Sequence, residues 1–352
     1  MSDISKIDKN FAITTNLDLP DIEFFDCREE PFTLYGLCNP VPGERFHRVP
    51  ADVAERVSQG VKELALHTSG GRVCFKTDSP YIAIKATRRG LYDMSHATQC
   101  MIGGFDLYVK NEDGTSSYVK TFMPPGAATD EYESFSHTCN GVREYVINMP
   151  LYGSVENLYM GLKKGSTLEK ADGYRDIAPI VFYGSSITQG GCASRPGTCY
   201  AAIVSQDLNL DFINLGFSGS AKGEDAMIDY IASLSMGAFV CDYDHNAPSA
   251  QHLRDTHKKL VDAVRATHPD LPIICMPRPE SGEGDERRDI VKKTVDDRIA
   301  EGDENIWFID GTELFAGPRA DNCTVDGSHP TDLGFFRMAM AVEKKLVEIF
   351  KF

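Results

Sequence analysis

Positive charge is in short supply: 36 Lys and Arg stand against 52 Asp and Glu, a net charge of −16. A chain this acidic repels phosphate backbones and anionic headgroups, so neither nucleic acid nor a membrane surface is an expected partner. Long apolar runs are missing too; none approaches the ~18–20 residues that cross a bilayer. The first thirty residues lack the basic start and apolar stretch of a secretory signal, which predicts a cytoplasmic protein. Ten cysteines lie scattered at positions 27, 38, 74, 100, 139, 192, 199, 241, 275 and 323, with no CxxC pair and no cysteine–histidine spacing typical of zinc. Free thiols are therefore expected, and neither a disulfide framework nor a metal site. What is present suits a folded chain: 352 residues, 42% hydrophobic and 25% charged, enough for about two domains of ~150 residues each.

The chain changes character near residue 177. Before it, short extended runs dominate. Arg72–Thr77, Tyr81–Ala86, Phe105–Lys110, Tyr118–Phe122, Val142–Met149 and Asn157–Leu162 all read as strands, with a hairpin turn at Asp113-Gly114. One short helix is expected near Ala51–Val61. Many strands with polar turns predict an all-β sandwich over residues 1–176.

After residue 177 strand alternates with helix. Five compact apolar runs, Pro179–Tyr183, Asp211–Leu215, Ala238–Asp242, Pro272–Met276 and Ile306–Asp310, are separated by helical stretches. The clearest helix is Ala250–Thr267, with Leu253, Leu260, Val261 and Val264 on one face and Ser249 as N-cap; another runs from about Asp332 to Phe350. Doubly buried strands in βα units predict a parallel sheet between helices over residues 177–352. Ligands of such sheets bind at the carboxyl ends of the strands.

Those ends carry the polar residues of interest. The first strand runs into Tyr183-Gly-Ser-Ser-Ile-Thr-Gln-Gly-Gly191, small residues that permit a sharp turn into a helix and expose a hydroxyl. This segment has neither GxGxxG nor GxxxxGK[ST], so it is not a phosphate cradle. The second strand ends in Asn214-Leu-Gly-Phe-Ser-Gly219 and the third in Asp242-Tyr-Asp-His-Asn-Ala-Pro248, while Asp326-Gly-Ser-His-Pro330 precedes the last helix. In this order the four segments resemble the blocks of the SGNH, or GDSL-type, serine hydrolases, over about 175 residues. Gly104-Phe-Asp-Leu-Tyr108 is similar to the Gly-x-Asp-Leu-Tyr signature of the β-sandwich that precedes one subgroup of them.

The resemblance implies a flavodoxin-like parallel sheet with flanking helices, preceded by an all-β, jelly-roll-like sandwich. It places the nucleophile on Ser186, its base and orienting acid on His329 and Asp326, and the oxyanion donors on Ser186, Gly219 and Asn246. Two positions depart from the family pattern: Ser185 replaces the aspartate of the first block, and Asp244 replaces the glycine of the third. A serine hydroxyl attacks only when a base takes its proton, and an imidazole, ordinarily titrating near pKa ~6.5, can do so. Asp326, three residues before His329, can reach back to its Nδ1–H in a turn, and the three N–H donors suit a tetrahedral oxyanion. No cofactor or metal is required.

The expected reaction is hydrolysis, through an acyl-serine, of a short ester, acetyl above all, on a polar small molecule or oligosaccharide. Arg278, after the fourth strand, is a candidate to bind a polar group, and Tyr243 with Phe217 to wall off a short acyl pocket. The same triad also serves acyltransferases, lipases and thioesterases. A carbohydrate-binding protein with a dead α/β domain is disfavoured by the full residue set. Association with further copies of the chain stays open.

Overall fold

The computed structural model describes residues 14–38 and 40–352. Its first half contains β1 (Ile22–Asp26), β2 (Thr33–Tyr35), α1 (Ala51–Val57), α2 (Gln59–Leu64), β3 (Arg72–Thr77), β4 (Tyr81–Arg89), α3 (Gln99–Gly103), β5 (Phe105–Lys110), β6 (Ser116–Phe122), β7 (Glu131–His137), β8 (Arg143–Asn148), β9 (Ser154–Lys163) and β10 (Leu168–Glu169). The strands form two antiparallel sheets, ordered β1-β9-β4-β7 and β10-β3-β8-β5-β6, with β2 paired to β3. Alternation turns Val73, Phe75, Leu107 and Ile147 of one sheet toward Ile82, Ile84, Leu158 and Met160 of the other, and these close a single sandwich core. The predicted hairpin turn is present: Gly114 takes φ +87°, and the Asp113 carboxylate accepts from Thr115 N at 2.9 Å.

The second half contains β11 (Ile180–Gly184), α4 (Ser186–Gln189), α5 (Tyr200–Leu208), β12 (Phe212–Gly216), α6 (Asp225–Ser233), β13 (Ala238–Asp242), α7 (Ala250–Thr267), β14 (Ile273–Cys275), α8 (Glu286–Ala300), β15 (Ile306–Phe308), α9 (Gly311–Leu314) and α10 (Asp332–Phe350). All five strands run parallel in the order β12-β11-β13-β14-β15, the 2-1-3-4-5 winding of a flavodoxin-like sheet. The strand order reverses between β11 and β13, so the binding crevice falls at their carboxyl ends. Val181, Leu215 and Phe239 pack under α6, α7 and α8; Ile180, Phe212 and Val240 pack under α5 and α10.

The expected single helix at 51–61 is two helices, broken at Ser58, which is extended (φ −171°) and caps α2 by accepting from Val61 N at 3.2 Å. Neither serves the sandwich. Val53, Ala54 and Val61 join the core beside Phe217 and Phe239 of the parallel sheet. Met101, Ile102, Leu151 and Tyr152 reach from the sandwich into the other core. Among the described residues no helix is long and apolar enough to cross a membrane, and the cysteines are free thiols.

Candidate active site

β11 is hydrogen-bonded on both sides, and its carboxyl end passes straight into the single turn of α4. Gly184 lies so close to Asp242 and Thr188 that a Cβ would collide with both. Ser185 is extended and buried, and its hydroxyl accepts from Ile187 N at 3.2 Å as the N-cap of α4. Ser186 is thereby the first helical residue. Its Oγ lies 3.0 Å from His329 Nε2. Beneath the turn, buried Asp242 accepts from the Thr188 hydroxyl and, at 3.1 Å, from Tyr200 OH. Burial outweighs these two donors and pushes the Asp242 carboxyl up to about 7.

His329 stands at the end of a tight turn before α10. Asp326 Oδ1 accepts from Ser328 N (3.0 Å) and His329 N (2.8 Å), while Oδ2 lies 2.8 Å from His329 Nδ1. Val325 N closes the turn on His329 O at 2.9 Å, and Thr331 then caps α10. Desolvation alone would raise Asp326, but the backbone N–H and ring of His329, with the Ser328 N–H, hold its carboxyl down at about 2. The carboxylate stays ionised beside Nδ1, which fixes that nitrogen as the protonated one and turns the Nε2 lone pair to Ser186.

The segment after β12 makes a turn with Gly219 in the left-handed region (φ +65°). Asn246 Nδ2 donates to Phe217 O at 2.8 Å, which ties the third-strand loop to that turn and leaves its second amide hydrogen unused by this bond. Asp244, at the position where the family has glycine, is buried and starts the short 3-10 turn Asp244–Asn246. Burial pushes its carboxyl up to about 7, against the neighbouring Arg278 and Arg287. Arg287 braces the loop by donating to the Asp244 (2.6 Å) and Ala247 (2.8 Å) carbonyls.

Tyr243 does not line a pocket, contrary to the sequence reading, and neither does Phe217. Strand alternation carries Cys241 and Tyr243, and likewise Leu215 and Phe217, into the core under α7. Tyr243 stacks on His257 at 5.7 Å and its hydroxyl meets Thr256 Oγ1 at 2.8 Å. Arg278, by contrast, does line a cavity of about 480 Å³ with His245, Asp285, Ser328, Ile187 and Phe315. It is held by Asp285 at 2.6 Å.

Several site-building residues carry no signal in the sequence because their partners are remote. Arg48 is buried and donates to Asn214 O (2.8 Å) and Gly216 O (2.9 Å) of β12, to His67 O (2.6 Å) and to Leu64 O (2.8 Å). Burial, reinforced by Arg48, pushes the His67 imidazole down to about 3, so the ring is neutral. Its Nδ1 accepts from Gln189 Nε2 at 3.1 Å, and Gln189 Oε1 accepts from Ser218 N at 3.0 Å. Gln189 thus links the sandwich, the turn of Ser186 and the turn of Gly219. His96 and Cys192 also approach His329: one ligand atom of each lies within 4.8 Å of the others, a grouping that the linear spacing does not announce.

A parallel 2-1-3-4-5 sheet with a Ser–His–Asp chain at its switch point, behind a β-sandwich, defines a hydrolase of the SGNH fold. Residues 177–347 match the GDSL-like lipase/acylhydrolase family, and residues 22–168 match the GxDLY model, the N-terminus of SGNH-hydrolase-type esterases. Among solved structures, a protein of Bacteroides ovatus designated a GDSL-like lipase is 30% identical, with TM-score 0.80 over 94% of this chain and 98% of its own. The chain belongs to the GDSL-like lipase/acylhydrolase family. The same fold recurs in the salicylyl-acyltransferase SsfX3 of a tetracycline pathway (20% identity, TM-score 0.75, 94% and 98% covered). It recurs again in the acetyl xylan esterase Est2A of Butyrivibrio proteoclasticus (12% identity, TM-score 0.60, 94% and 99% covered). The sequence matches no curated protein.

Proposed function

We propose that the protein is a serine esterase that removes a short acyl group, acetyl above all, from a polar alcohol of the sugar class. The observation that carries the reading is the chain Asp326–His329–Ser186, with contacts of 2.8 and 3.0 Å, at the sheet's switch point. His329 Nε2 takes the Ser186 proton as Oγ attacks the ester carbonyl, and Asp326 stabilises the imidazolium formed. The oxyanion is met by the Ser186 and Gly219 N–H groups and by the free hydrogen of the Asn246 amide. As the tetrahedral intermediate collapses, His329 returns the proton to the departing alcohol. Water, activated by the same imidazole, then cleaves the acyl-serine to the carboxylic acid.

The cavity beside this chain supports the polar alcohol. Arg278, Glu280, Ser281, Asp285, His245 and Ser328 outnumber Ile187, Pro279 and Phe315 along its wall. A C12 chain would strip water from those charged and hydroxyl groups without replacing their hydrogen bonds, whereas a sugar supplies hydroxyls to them. Relatives of the same fold are described as acting on acetyl xylan and on salicylyl groups, so the fold alone leaves the acceptor open. The test is a panel of p-nitrophenyl esters from C2 to C12 run beside acetylated sugars, with a polyol added to detect transfer. Turnover should fall steeply beyond C4 and acetylated sugars should be cleaved. A rate that climbs to C12 would overturn the short-acyl reading, and acyl-polyol as the main product would make the enzyme a transferase.

A further inference from the structure

His96 comes from the loop between β4 and α3, Cys192 from the segment after α4, and His329 from the turn before α10. They are 96 and 137 residues apart in sequence (192 − 96 and 329 − 192), yet one nitrogen or sulfur of each lies within 4.8 Å of the others. The His96 and His329 rings are 5.6 Å apart, centroid to centroid. Cys192 is buried, and its backbone N–H is directed at Met101 Sδ (3.1 Å) of α3.

Two imidazoles and a thiol are a ligand set for zinc, a borderline-soft cation that takes nitrogen and sulfur in tetrahedral geometry. At Zn–N ~2.0–2.1 Å and Zn–S ~2.3 Å, tetrahedral ligand atoms stand about 3.4–3.6 Å apart. The three groups therefore need to close by about 1 Å, a shift that the partly exposed His96 can supply from its loop. His329 is already arranged as a metal-bound histidine is: a carboxylate, Asp326, holds Nδ1 at 2.8 Å, so Nε2, which faces Ser186 Oγ at 3.0 Å, carries the lone pair that could coordinate in place of that contact.

We propose that His96, Cys192 and His329 form an inhibitory zinc site, in which the ion takes the His329 lone pair that otherwise accepts the Ser186 proton. The cysteine thiol loses its proton to solvent as the Zn–S bond forms, the two Zn–N bonds form to neutral imidazoles, and the ion sheds the waters that these three ligands displace. The fourth position is left to water or to Ser186 Oγ. The inhibition, though not the binding, rests on the reading of His329 as the esterase base. The ion is no cofactor; the stripped enzyme is the active one.

The experiment uses the full chain freed of metal with a chelator. Zinc chloride is titrated against p-nitrophenyl acetate turnover for the wild type, His96→Asn and Cys192→Ser, with melting temperatures as a check on folding. Separately, cobalt(II) is titrated into Ser186→Ala and read by its thiolate-to-metal charge-transfer absorption, which needs no catalysis. Loss of an outer-shell partner alone costs a metal site about 10–100-fold in affinity, so each variant should need at least ~10-fold more zinc for half-inhibition. Both variants should turn over ester normally without zinc, and the chelator should restore the inhibited wild type. The cobalt band should appear in Ser186→Ala and vanish when Cys192→Ser is added. Equal zinc sensitivity in all three proteins, or a cobalt complex without the thiolate band, would overturn the site. If Cys192→Ser does not fold, His96→Asn and the cobalt band decide the matter. A cobalt band in a protein that cleaves no ester would sustain the metal site and sink only the esterase reading.

Discussion

Ser185 and Ser186 are neighbours with opposite environments. Ser185 points inward and caps a helix; Ser186 carries its oxygen to 3.0 Å from an imidazole. Ser186→Ala should lower kcat by about four orders of magnitude or more, because the covalent route is lost. Ser185→Ala should keep most of the turnover and lose ~1 kcal/mol of stability with the cap. Stopped p-nitrophenyl acetate assays and urea unfolding separate the two. A dead Ser185→Ala with an active Ser186→Ala would reverse the assignment. Asn246 is a different case, since one amide hydrogen is spent on Phe217 O and the other is the one the proposed mechanism assigns to the oxyanion. Asn246→Ala should cost roughly 10²–10³-fold in kcat with KM nearly unchanged. If KM alone rises, Asn246 binds the ground state and is no oxyanion donor.

At the level of elements, what could be seen in the sequence depended on how much of its context each segment carried. The parallel strands are compact, mostly apolar runs, fully buried in β11, β13 and β14, and legible to within a residue or two. Edge strand β7, Glu131-Tyr-Glu-Ser-Phe-Ser-His137, has two aromatics among acids and hydroxyls and gives almost no apolar signal. Ser186 opens α4, Asn246 ends the 3-10 turn after β13, and Asp326 and His329 share the turn before α10. Tyr243 was misplaced because continuation of strand alternation, more than proximity to the loop, decides where a side chain goes. Gln189 was invisible, one position in α4 whose three partners lie in three other segments. It joins His67 Nδ1, Leu151 O and Ser218 N at 3.0–3.1 Å. Gln189→Ala leaves Ser218 N without its partner, a loss of about 1–3 kcal/mol where that group is shielded from water. It should also let the Gly219 turn drift, so kcat should fall about tenfold or more while KM holds, since a 1 Å misplacement can cost ~10²-fold. Reduced stability with an unaltered kcat at low temperature would leave Gln189 a structural residue only.

On the scale of the whole molecule the two halves are not separable bodies, although the composition changes at residue 177. An amphipathic helix declares in its sequence that it has an apolar face, but not which sheet that face will meet. α1 and α2, encoded in the first half, cover the parallel sheet through Val53, Ala54 and Val61, and Met101, Ile102, Leu151 and Tyr152 complete the opposite core. Each fully buried large side chain of this kind contributes ~1.5–3 kcal/mol relative to exposure. Loss of the six larger ones therefore removes on the order of 9–18 kcal/mol, comparable to the ~5–15 kcal/mol by which whole domains are stable. Arg48 adds a polar term, because without it the Asn214 and Gly216 carbonyls lose their buried donors. A fragment that starts at residue 177 should accordingly fail to unfold cooperatively and should not hydrolyse p-nitrophenyl acetate, even though Ser186, His329 and Asp326 are all retained. Supplying residues 1–176 as a separate chain should recover part of the turnover if the two pieces can dock. Calorimetry of the fragment is the decisive measurement. A sharp transition with wild-type turnover would mean that the parallel sheet closes its own cores, and that α1, α2 and Arg48 decorate a domain that folds without them.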